Sequence, residues 1–258
     1  MKKYLNVCMA IIVSLLILQG CRKAVNFLEN HPYAEQGFCQ IKQFSYLNSY
    51  LVPDTMIFTY NLLNNPVTGI RHPHSSTGYP NFIFRYDKYN RFTDLIGAFD
   101  INNLEYGVES WDRYFYDSFN RIIKDSSYIF PTIVNGEPAL GGHAQIQIIT
   151  YEYDSKNRVS KEIKVFGDRV LTSTYTYDQH GNLAGIPHDN KINIHRTNKI
   201  WMFLDKDYSI NNPATASYTY NNYGLPIKIV PNTGTMEFMS IGYTSLEYVE
   251  ADIQYTCK

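Results

Sequence analysis

Histidine and carboxylate side chains are the residues of this sequence best suited to chemistry. His72 and His74 flank one proline, and His143 and His188 follow in segments with loop composition. Imidazoles gathered at one end of a sheet could bind zinc or copper. No cysteine or acidic ligand stands beside them at coordinating spacing, so the sequence favours solvated loop histidines. We therefore predict no metal and no cofactor.

Two pairs of acidic residues are of the kind that glycosidases use. They are Asp205 with Asp207, and Glu109 with Asp112. Nothing in the sequence fixes the separation of these carboxylates across a cleft. A nucleophilic serine in a Gly-x-Ser-x-Gly motif is also missing from the sequence. A glycan-active hydrolase with its site in the loops is therefore the alternative hypothesis, and no catalytic residue is assigned.

A short phrase, repeated along the chain, must position these residues. It reads aromatic, any residue, Tyr, Asp or Asn, two more residues, then Gly or Asn. Aromatics two apart face the same side of a strand. Asp or Asn can open a type I turn, and Gly or Asn three residues later tolerates the left-handed conformation that closes a hairpin. The six copies begin at Phe58, Phe84, Tyr114, Tyr151, Tyr175 and Tyr218.

Each copy of the phrase therefore predicts a β-hairpin with a structural turn. We assign this role, rather than calcium binding, to the acidic and amide residues of the turns. In the four central copies the turn residues are Asp87 and Asn90, Asp117 and Asn120, Asp154 and Asn157, and Asp178 and Gly181.

The predicted fold is all-β, an antiparallel meander of β-hairpins that forms one twisted, curled sheet. The 23 tyrosines are typical of a sheet protein. We predict almost no helix, an additional strand at residues 199–204, and closing strands at 235–239, 242–249 and 252–257. Pro66 and Pro226 open two return strands, which should be edge-like or begin later because Pro cannot donate to a ladder.

The order of the repeats predicts two different ends of the sheet, which we name the turn end and the loop end. If the turns of the phrase gather at one end, the connections at 71–80, 100–108, 131–143 and 167–170 gather at the other. Loops on a rigid sheet are the usual binding sites. The aromatic rows of the phrase could also bind sugars or peptides on an open face. The sequence favours a core role for those rows.

The beginning of the sequence predicts where the protein is located in the cell. Lys2 and Lys3 precede an apolar run at residues 7–18, which is short for a membrane span and typical of a secretory signal. Residues 18–21, Leu-Gln-Gly-Cys, resemble a bacterial lipobox, in which the signal peptidase cuts before the Cys and the Cys is lipidated. The resemblance implies a signal peptide at 1–20, a tether at 21–37 lipidated at Cys21, and a single β domain at 38–258. An uncleaved N-terminal helix is the alternative.

The cysteines of the sequence predict one disulfide, and its net charge argues against one class of partner. If Cys8 leaves with the signal and Cys21 carries lipid, Cys39 and Cys257 remain. In an oxidising compartment they are candidates for a disulfide that joins the two ends of the domain, with two buried free thiols as the alternative. The 23 Lys and Arg against 24 Asp and Glu argue against nucleic acid as a partner.

The repeated phrase resembles the YD repeats of Rhs and teneurin proteins, whose units read roughly Tyr-Asp-x-x-Gly-Arg-Leu. The best matches are residues 86–92, 116–122 and 153–159, with Asn in place of Gly. Small YD-repeat lipoproteins of Gram-negative bacteria are more similar, and the ending Tyr-Thr-Cys-Lys at 255–258 fits theirs. This resemblance implies an outer-membrane anchor at Cys21 with the domain in the periplasm, or alternatively on the surface. It implies a non-enzymatic binding or scaffold module for an envelope protein or glycan.

Overall fold

The computed structural model describes residues 27–28, 31, 34–105, 107–141, 144–241 and 244–258. The predicted signal peptide and the predicted lipidation site Cys21 lie outside these ranges. Within them, no helix has both the length and the apolar character needed to cross a membrane. Almost all the described residues belong to the predicted β domain.

The described chain is nearly all β, and thirteen strands form one open antiparallel meander, which confirms the predicted fold class. The strands are β1 (Cys39–Leu47), β2 (Pro53–Tyr60), β3 (Pro66–His72), β4 (Asn81–Tyr86), β5 (Phe92–Ala98), β6 (Val108–Tyr116), β7 (Ile122–Ile129), β8 (Thr132–Val134), β9 (Glu137–Ala139), β10 (Gln145–Tyr153), β11 (Val159–Phe166), β12 (Arg169–Thr174), β13 (His188–Ile192), β14 (Asn211–Pro213), β15 (Ala216–Tyr220), β16 (Pro226–Pro231), β17 (Met236–Ile241), β18 (Thr244–Tyr248) and β19 (Glu250–Cys257). A 3-10 helix (Ile194–Thr197) precedes helix α1 (Lys199–Asp205).

The large sheet has the order β12-β11-β10-β7-β6-β5-β4-β3-β2-β1-β19-β16-β15. Smaller two-stranded sheets are formed by β8 with β9, β13 with β14, and β17 with β18. The ladders within the large sheet are antiparallel, so successive connections alternate between its two ends. The turns of the phrase therefore lie at the turn end and the connections between repeats at the loop end, as predicted.

The turn of the fourth copy shows the geometry that all the turns share. Asp154 Oδ1 accepts the backbone N–H groups of Lys156 and Arg158 at 2.8 and 3.0 Å. Asn157 closes the turn in the left-handed region, with φ 58°, and its N–H donates to the Asp154 carbonyl. The same closing hydrogen bond starts from Asn64, Asn90, Asn120, Gly181 and Gly224 in the other copies. Turn chemistry thus accounts for these residues.

Residues 199–204 were predicted as a strand, which is wrong. They form helix α1, whose N-cap Asn198 accepts the N–H of Ile200 at 2.9 Å. The helix ends at Lys206 in the left-handed conformation. Its residues 200–204 are all buried, and a helix that is apolar on every side has no amphipathic period to distinguish it from a buried strand.

The predicted ends of the sheet need two further corrections. Of the closing strands, only β19 joins the large sheet, between β1 and β16, whereas β17 and β18 pair with each other. Asp205 at the end of α1 accepts the N–H groups of Met239 and Ser240 at 2.9 and 2.6 Å, which draws β17 away from the sheet and onto the helix. In the fifth copy, β12 stops at Thr174 and Tyr177 makes only a single bridge to Leu183.

Pro66 and Pro226 do not make their strands edge-like. β3 and β16 begin at these prolines and lie inside the sheet. A proline is tolerated as the first residue of a strand because pairing with the next strand starts beyond it. For Pro66, the ladder to β4 starts at Thr68. The proline carbonyl is still used, since it accepts the Tyr86 hydroxyl at 2.6 Å.

The first aromatic of the phrase points into the core, as predicted. Phe58 and Phe84 lie with their ring centroids 5.0 and 5.6 Å from Trp201 of α1, which is completely buried. Tyr114 and Tyr151 pack in the same way on Phe203, at 5.6 and 5.1 Å. The aromatic rows therefore form the core under α1 and are not an open binding face.

In the first four copies of the phrase the second aromatic, Tyr, joins neighbouring strands through its hydroxyl. Tyr86, Tyr116 and Tyr153 donate to the carbonyls of Pro66, Phe92 and Ile122 at 2.6, 2.8 and 2.6 Å, and each acceptor is the first residue of the preceding return strand. Tyr60 donates to the Ile41 carbonyl within β1, and Tyr255, outside the phrase, donates to the Pro226 carbonyl. In the last two copies Tyr177 donates instead to the Lys206 carbonyl and Tyr220 to Asp189.

Cys39 and Cys257 form a disulfide, which confirms the predicted pairing. They are register partners in the β1–β19 ladder at the turn end. The bond closes a loop with a sequence separation of 218 residues. In the chain-entropy model such a loop corresponds to a stabilisation of about 4 kcal/mol or more.

We expect Asn157→Val to lower the free energy of unfolding by about 1–3 kcal/mol, because a β-branched side chain resists the left-handed conformation. Asn157 suits this test because turn closure uses its backbone rather than its side chain. Urea unfolding of the full-length chain measures the effect. Asn157→Gly is the matched control and should leave the midpoint nearly unchanged. Equal midpoints for the Val variant and the wild type would mean that the turn does not require this conformation.

Candidate functional site

Of the four histidines singled out in the sequence, the three that the structure describes do not form a metal site. His72 and His74 are exposed at the loop end, and His188 opens β13 away from them in the topology. His143 lies outside the described residues. Among the residues that are described, no group of three or more His, Cys, Asp or Glu side chains could hold a metal ion.

Asp205 and Asp207 act on a histidine that the sequence analysis did not single out. His195 lies between them, with its Nε2 2.7 Å from Asp205 and its Nδ1 3.4 Å from Asp207. Burial alone would lower the pKa of His195, but the hydrogen bonds and charges of the two carboxylates raise it to about 10. The imidazolium is therefore charged at neutral pH and joins the 3-10 helix to the end of α1. This arrangement is structural, because both ring nitrogens are engaged.

Glu109 and Asp112, the other acidic pair, lie apart and make different contacts. Glu109 is buried and accepts the N–H of Gly78 with both carboxylate oxygens, at 3.0 and 3.1 Å, so it holds the loop that follows β3. Asp112 points instead to the inner face of the sheet. It meets two acids there, Asp125 and Glu162, which the sequence analysis missed.

These acids line a cavity of about 230 Å³, which we name the inner cavity. It lies between the inner face of β6, β7, β10 and β11 and the end of α1. Its charged lining residues are Asp112, Asp125, Glu162, Lys164, Asp205 and Lys206, and its tyrosines are Tyr114, Tyr151 and Tyr175. The three acids on the strands are almost completely buried. Acidic residues at inward-facing strand positions are the sequence signal that could have revealed the cavity.

Charge in the inner cavity is only partly compensated. Lys164 and Lys206 both form ion pairs with Glu162, with Nζ–carboxylate oxygen distances of 3.0 and 3.3 Å. Burial raises the pKa of Asp112 to about 6. Burial and the neighbouring charge of Asp112 raise the pKa of Asp125 to about 8, although Tyr151 donates to its Oδ2 at 2.7 Å. Asp125 is therefore mostly protonated at neutral pH.

A second cavity, of about 760 Å³, opens at the turn end, and we name it the turn-end cleft. It lies between the turns of the second, third and fourth copies and one side of α1. Two turn tips, Tyr89 and Phe119, rise beside it and are 69% and 77% exposed. Its other lining residues are Asn90, Arg91, Phe92, Tyr116, Asn120, Arg121, Ile122, Tyr153, Asn157, Lys199, Ile200, Phe203 and Tyr208.

The arginines of the cleft are fixed by their own turn and by the next repeat. Arg91 bonds Asp87 at 2.7 Å, and its guanidinium lies 4.9 Å from the Tyr116 ring centroid. Arg121 bonds Asp117 at 2.8 Å and lies 5.0 Å from the Tyr153 ring centroid. Each arginine also faces the ring at its own turn tip, Tyr89 or Phe119. The cleft thus presents guanidinium groups whose charge is already balanced.

The turn tips are functional candidates that the sequence analysis missed. The third position of the turn faces solvent and favours polar residues. Leu63, Tyr89, Phe119 and Tyr223 occupy it in four copies and are all exposed. The hydrogen bonds that close the turns do not use these apolar side chains. The sequence could have revealed them, because an apolar residue is unexpected at a turn position that usually carries a polar one.

Comparisons with known proteins leave the function open. No protein-family model matches the chain, and no curated protein matches it. Solved neighbours include several crystal structures of TcdB2-TccC3. The crystal structure of TcdB2-TccC3-Cdc42 covers 72% of this chain and 10% of that chain, at 10% identity and a TM-score of 0.30. A porin-like protein from Bacteroides uniformis ATCC 8492 covers 84% of this chain and 96% of that chain, at 9% identity and a TM-score of 0.42.

This chain spans about a tenth of the TcdB2-TccC3 structure that it matches. The activity of a much longer protein cannot be transferred to so small a part. The function therefore has to be inferred from the residues of this chain.

Asp125→Asn should change how stability depends on pH. The pKa of Asp125 is raised in the folded state, so its contribution to stability is complete below pH 4 and is lost as the pH rises through about 8. We expect the variant to be more stable than the wild type at pH 9, by on the order of 2 kcal/mol, and to lose this advantage towards pH 4. Urea unfolding at several pH values measures the difference. A gap that stays constant across this range would contradict the assigned environment.

Proposed function

We propose that this chain is a lipid-anchored, non-enzymatic module of the cell envelope that binds a glycan in the turn-end cleft. It would belong with the small YD-repeat lipoproteins that its sequence resembles. Cys21 would carry the lipid in the outer membrane, with the domain facing the periplasm. The observation that carries the proposal is the pair of exposed rings, Tyr89 and Phe119, beside a cleft of about 760 Å³.

The chemistry of the cleft suits a sugar chain. Aromatic faces stack on the apolar faces of sugar rings, and the polar edge of the same site can bond hydroxyl groups. Asn90, Asn120 and Asn157 place amide groups along the cleft between the rings. Because Asp87 and Asp117 balance Arg91 and Arg121, the site does not require a strongly anionic ligand. A neutral or weakly charged glycan fits this balance best.

The place where the tether meets the domain favours a ligand that lies close to the membrane. Leu28 is buried against Ile192, Ile210 and Leu225, next to the sixth turn, so the tether meets the domain at the turn end. Cys21 and Phe27 are six residues apart, a distance of at most about 20 Å for an extended chain. Lipid on Cys21 would therefore hold the turn end within that distance of the bilayer. The glycan would be one that is present near the membrane surface.

A hydrolase that acts on a polysaccharide is less well supported. The acids that could form a catalytic pair, Asp112 and Asp125, are only 2% and 3% exposed. The inner cavity that they line has about 230 Å³, which leaves no room for a sugar chain on both sides of a scissile bond. The turn-end cleft has the room, but its acids are held in turns and bonded to arginines.

We expect the full-length chain, purified in detergent, to retain specific glycans on an array of bacterial envelope glycans. The double variant Tyr89→Ala with Phe119→Ala should lose at least about tenfold in affinity, because two stacking surfaces disappear. Its free energy of unfolding should fall by no more than about 1–2 kcal/mol, because both rings are exposed and each loses a cation–π contact with Arg91 or Arg121.

Tyr50→Ala is the matched control. Tyr50 is an exposed tyrosine, 80% accessible, in the β1–β2 connection at the loop end. This variant should bind like the wild type. Absence of any retained glycan, or an equal loss in the Tyr50 variant, would refute the cleft as the binding site.

A further inference from the structure

We propose that the inner cavity binds the primary ammonium group of a small molecule, through the carboxylates of Asp112 and Asp125. This site is separate from the turn-end cleft and does not depend on the glycan proposal. The cavity lies under α1 on the inner face of β6 and β7. The cleft lies at the turn end on the other part of α1.

Two buried oxygens indicate that the cavity requires a hydrogen-bond donor. Asp112 Oδ2 and Asp125 Oδ1 have no hydrogen-bond partner among the described residues, although both residues are at least 97% buried. Leaving a buried carboxylate oxygen without a donor is costly, more so than for a neutral group. Both residues line the cavity, so a molecule bound there is in position to supply the donor.

The lysines of the cavity do not fill this role. Lys206 Nζ donates to the Leu204 carbonyl at 3.1 Å and lies 3.3 Å from Glu162. Its ammonium also lies 5.2 Å from the centroid of the Tyr151 ring. Lys164 is paired with Glu162 at 3.0 Å. Because both lysines are paired with Glu162, neither aspartate has a cation of its own, and the negative charge that develops as Asp112 and then Asp125 ionise is unmatched.

A primary ammonium matches the two aspartates better than other small groups do. It carries one positive charge and three N–H donors, as the lysine side chain shows. It can therefore bond both carboxylates at once and offset their mutual repulsion. A cavity of about 230 Å³ has the volume of roughly seven or eight waters at about 30 Å³ each, which suits a diamine or one amino sugar. Tyr114, Ile149 and Leu204 provide walls for the carbon skeleton.

Binding should depend on pH, because the cation favours ionised carboxylates. The ionisable groups that face Asp112 and Asp125 come from every element around the cavity: Tyr114 on β6, Tyr151 on β10, Glu162 and Lys164 on β11, Tyr175 after β12, and Asp205 and Lys206 at the end of α1. Protons held by the aspartates must leave when the ammonium binds. Affinity for 1,4-diaminobutane, whose amines stay protonated over this range, should therefore rise at least about tenfold from pH 6 to pH 8.5, and complex formation should release protons.

Isothermal titration calorimetry of the full-length chain in detergent tests the site, with 1,4-diaminobutane and glucosamine as probes at pH 8. We expect saturable binding of at least one probe and none of N-acetylglucosamine, which has no ammonium. Asp112→Asn and Asp125→Asn should each weaken binding at least about tenfold. A preference for glucosamine would identify an amino sugar as the ligand class, and the opposite preference a diamine.

Two controls separate this site from its surroundings. Glu152→Gln removes an exposed carboxylate that faces Lys161 and should leave amine binding unchanged. Phe119→Ala in the turn-end cleft should also leave it unchanged. Near-UV circular dichroism establishes that the Asn variants keep the wild-type fold. Absence of saturable binding by the wild type, or unchanged binding by both Asn variants, would overturn the proposal, and the cavity would then hold water only.

Discussion

Most of the inner face of the curled sheet is apolar and has to be covered, and helix α1 covers it together with β17 and β18. Trp201 and Phe203 of the helix contact the first aromatic of successive copies of the phrase. Phe238 of β17 and Tyr248 of β18 pack on Phe44 of β1. A single sheet of this width cannot bury one face by itself, because strands in an open sheet contact only their neighbours. The helix and this hairpin therefore provide the second layer. The position of the helix also defines both cavities, since the cleft lies on one part of it and the inner cavity at its C-terminal end.

The repeated phrase is a device for joining one hairpin to the next. Its tyrosine hydroxyl donates to a carbonyl of the preceding return strand, as Tyr153 does to Ile122. The arginine that follows the turn reaches in the other direction, and Arg121 lies over the ring of that same Tyr153. The second, third and fourth repeats thus each contact both neighbours through one tyrosine and one arginine. This arrangement explains why Tyr, Asp and Arg recur together in the three best copies of the phrase.

Much of this architecture could be predicted from the sequence because it depends on local chemistry. The turns at Asp87, Asp117 and Asp154, the fold class and the two ends of the sheet follow from period-2 aromatics and from turn residues. Helix α1 could not be predicted, since residues 200–204 are apolar on all sides and carry no helical period. Tertiary packing decides that this segment is a helix rather than a strand, and local propensity carries no information about that packing.

The candidate sites were harder to predict, for the same reason. Asp112 was noticed in the sequence, but its neighbours Asp125 and Glu162 come from other strands and only the curled sheet brings them together. The prediction that function lies in the loop-end connections stays a prediction: His72 and His74 are exposed there, and no group of three or more His, Cys, Asp or Glu among the described residues could hold a metal ion. Turn chemistry accounts for the Asp and Asn residues of the turns, yet two turn tips also carry the exposed rings of Tyr89 and Phe119 beside the turn-end cleft.

We therefore propose that this molecule binds its ligand at the turn end. Hydrogen exchange of the full-length chain, with and without a mixture of envelope glycans, tests this location directly. We expect slower exchange at residues 88–91 and 118–121, on the rim of the turn-end cleft, and no change in the loop-end connection at 73–80. Protection confined to the loop end, with unchanged exchange at both turns, would contradict it.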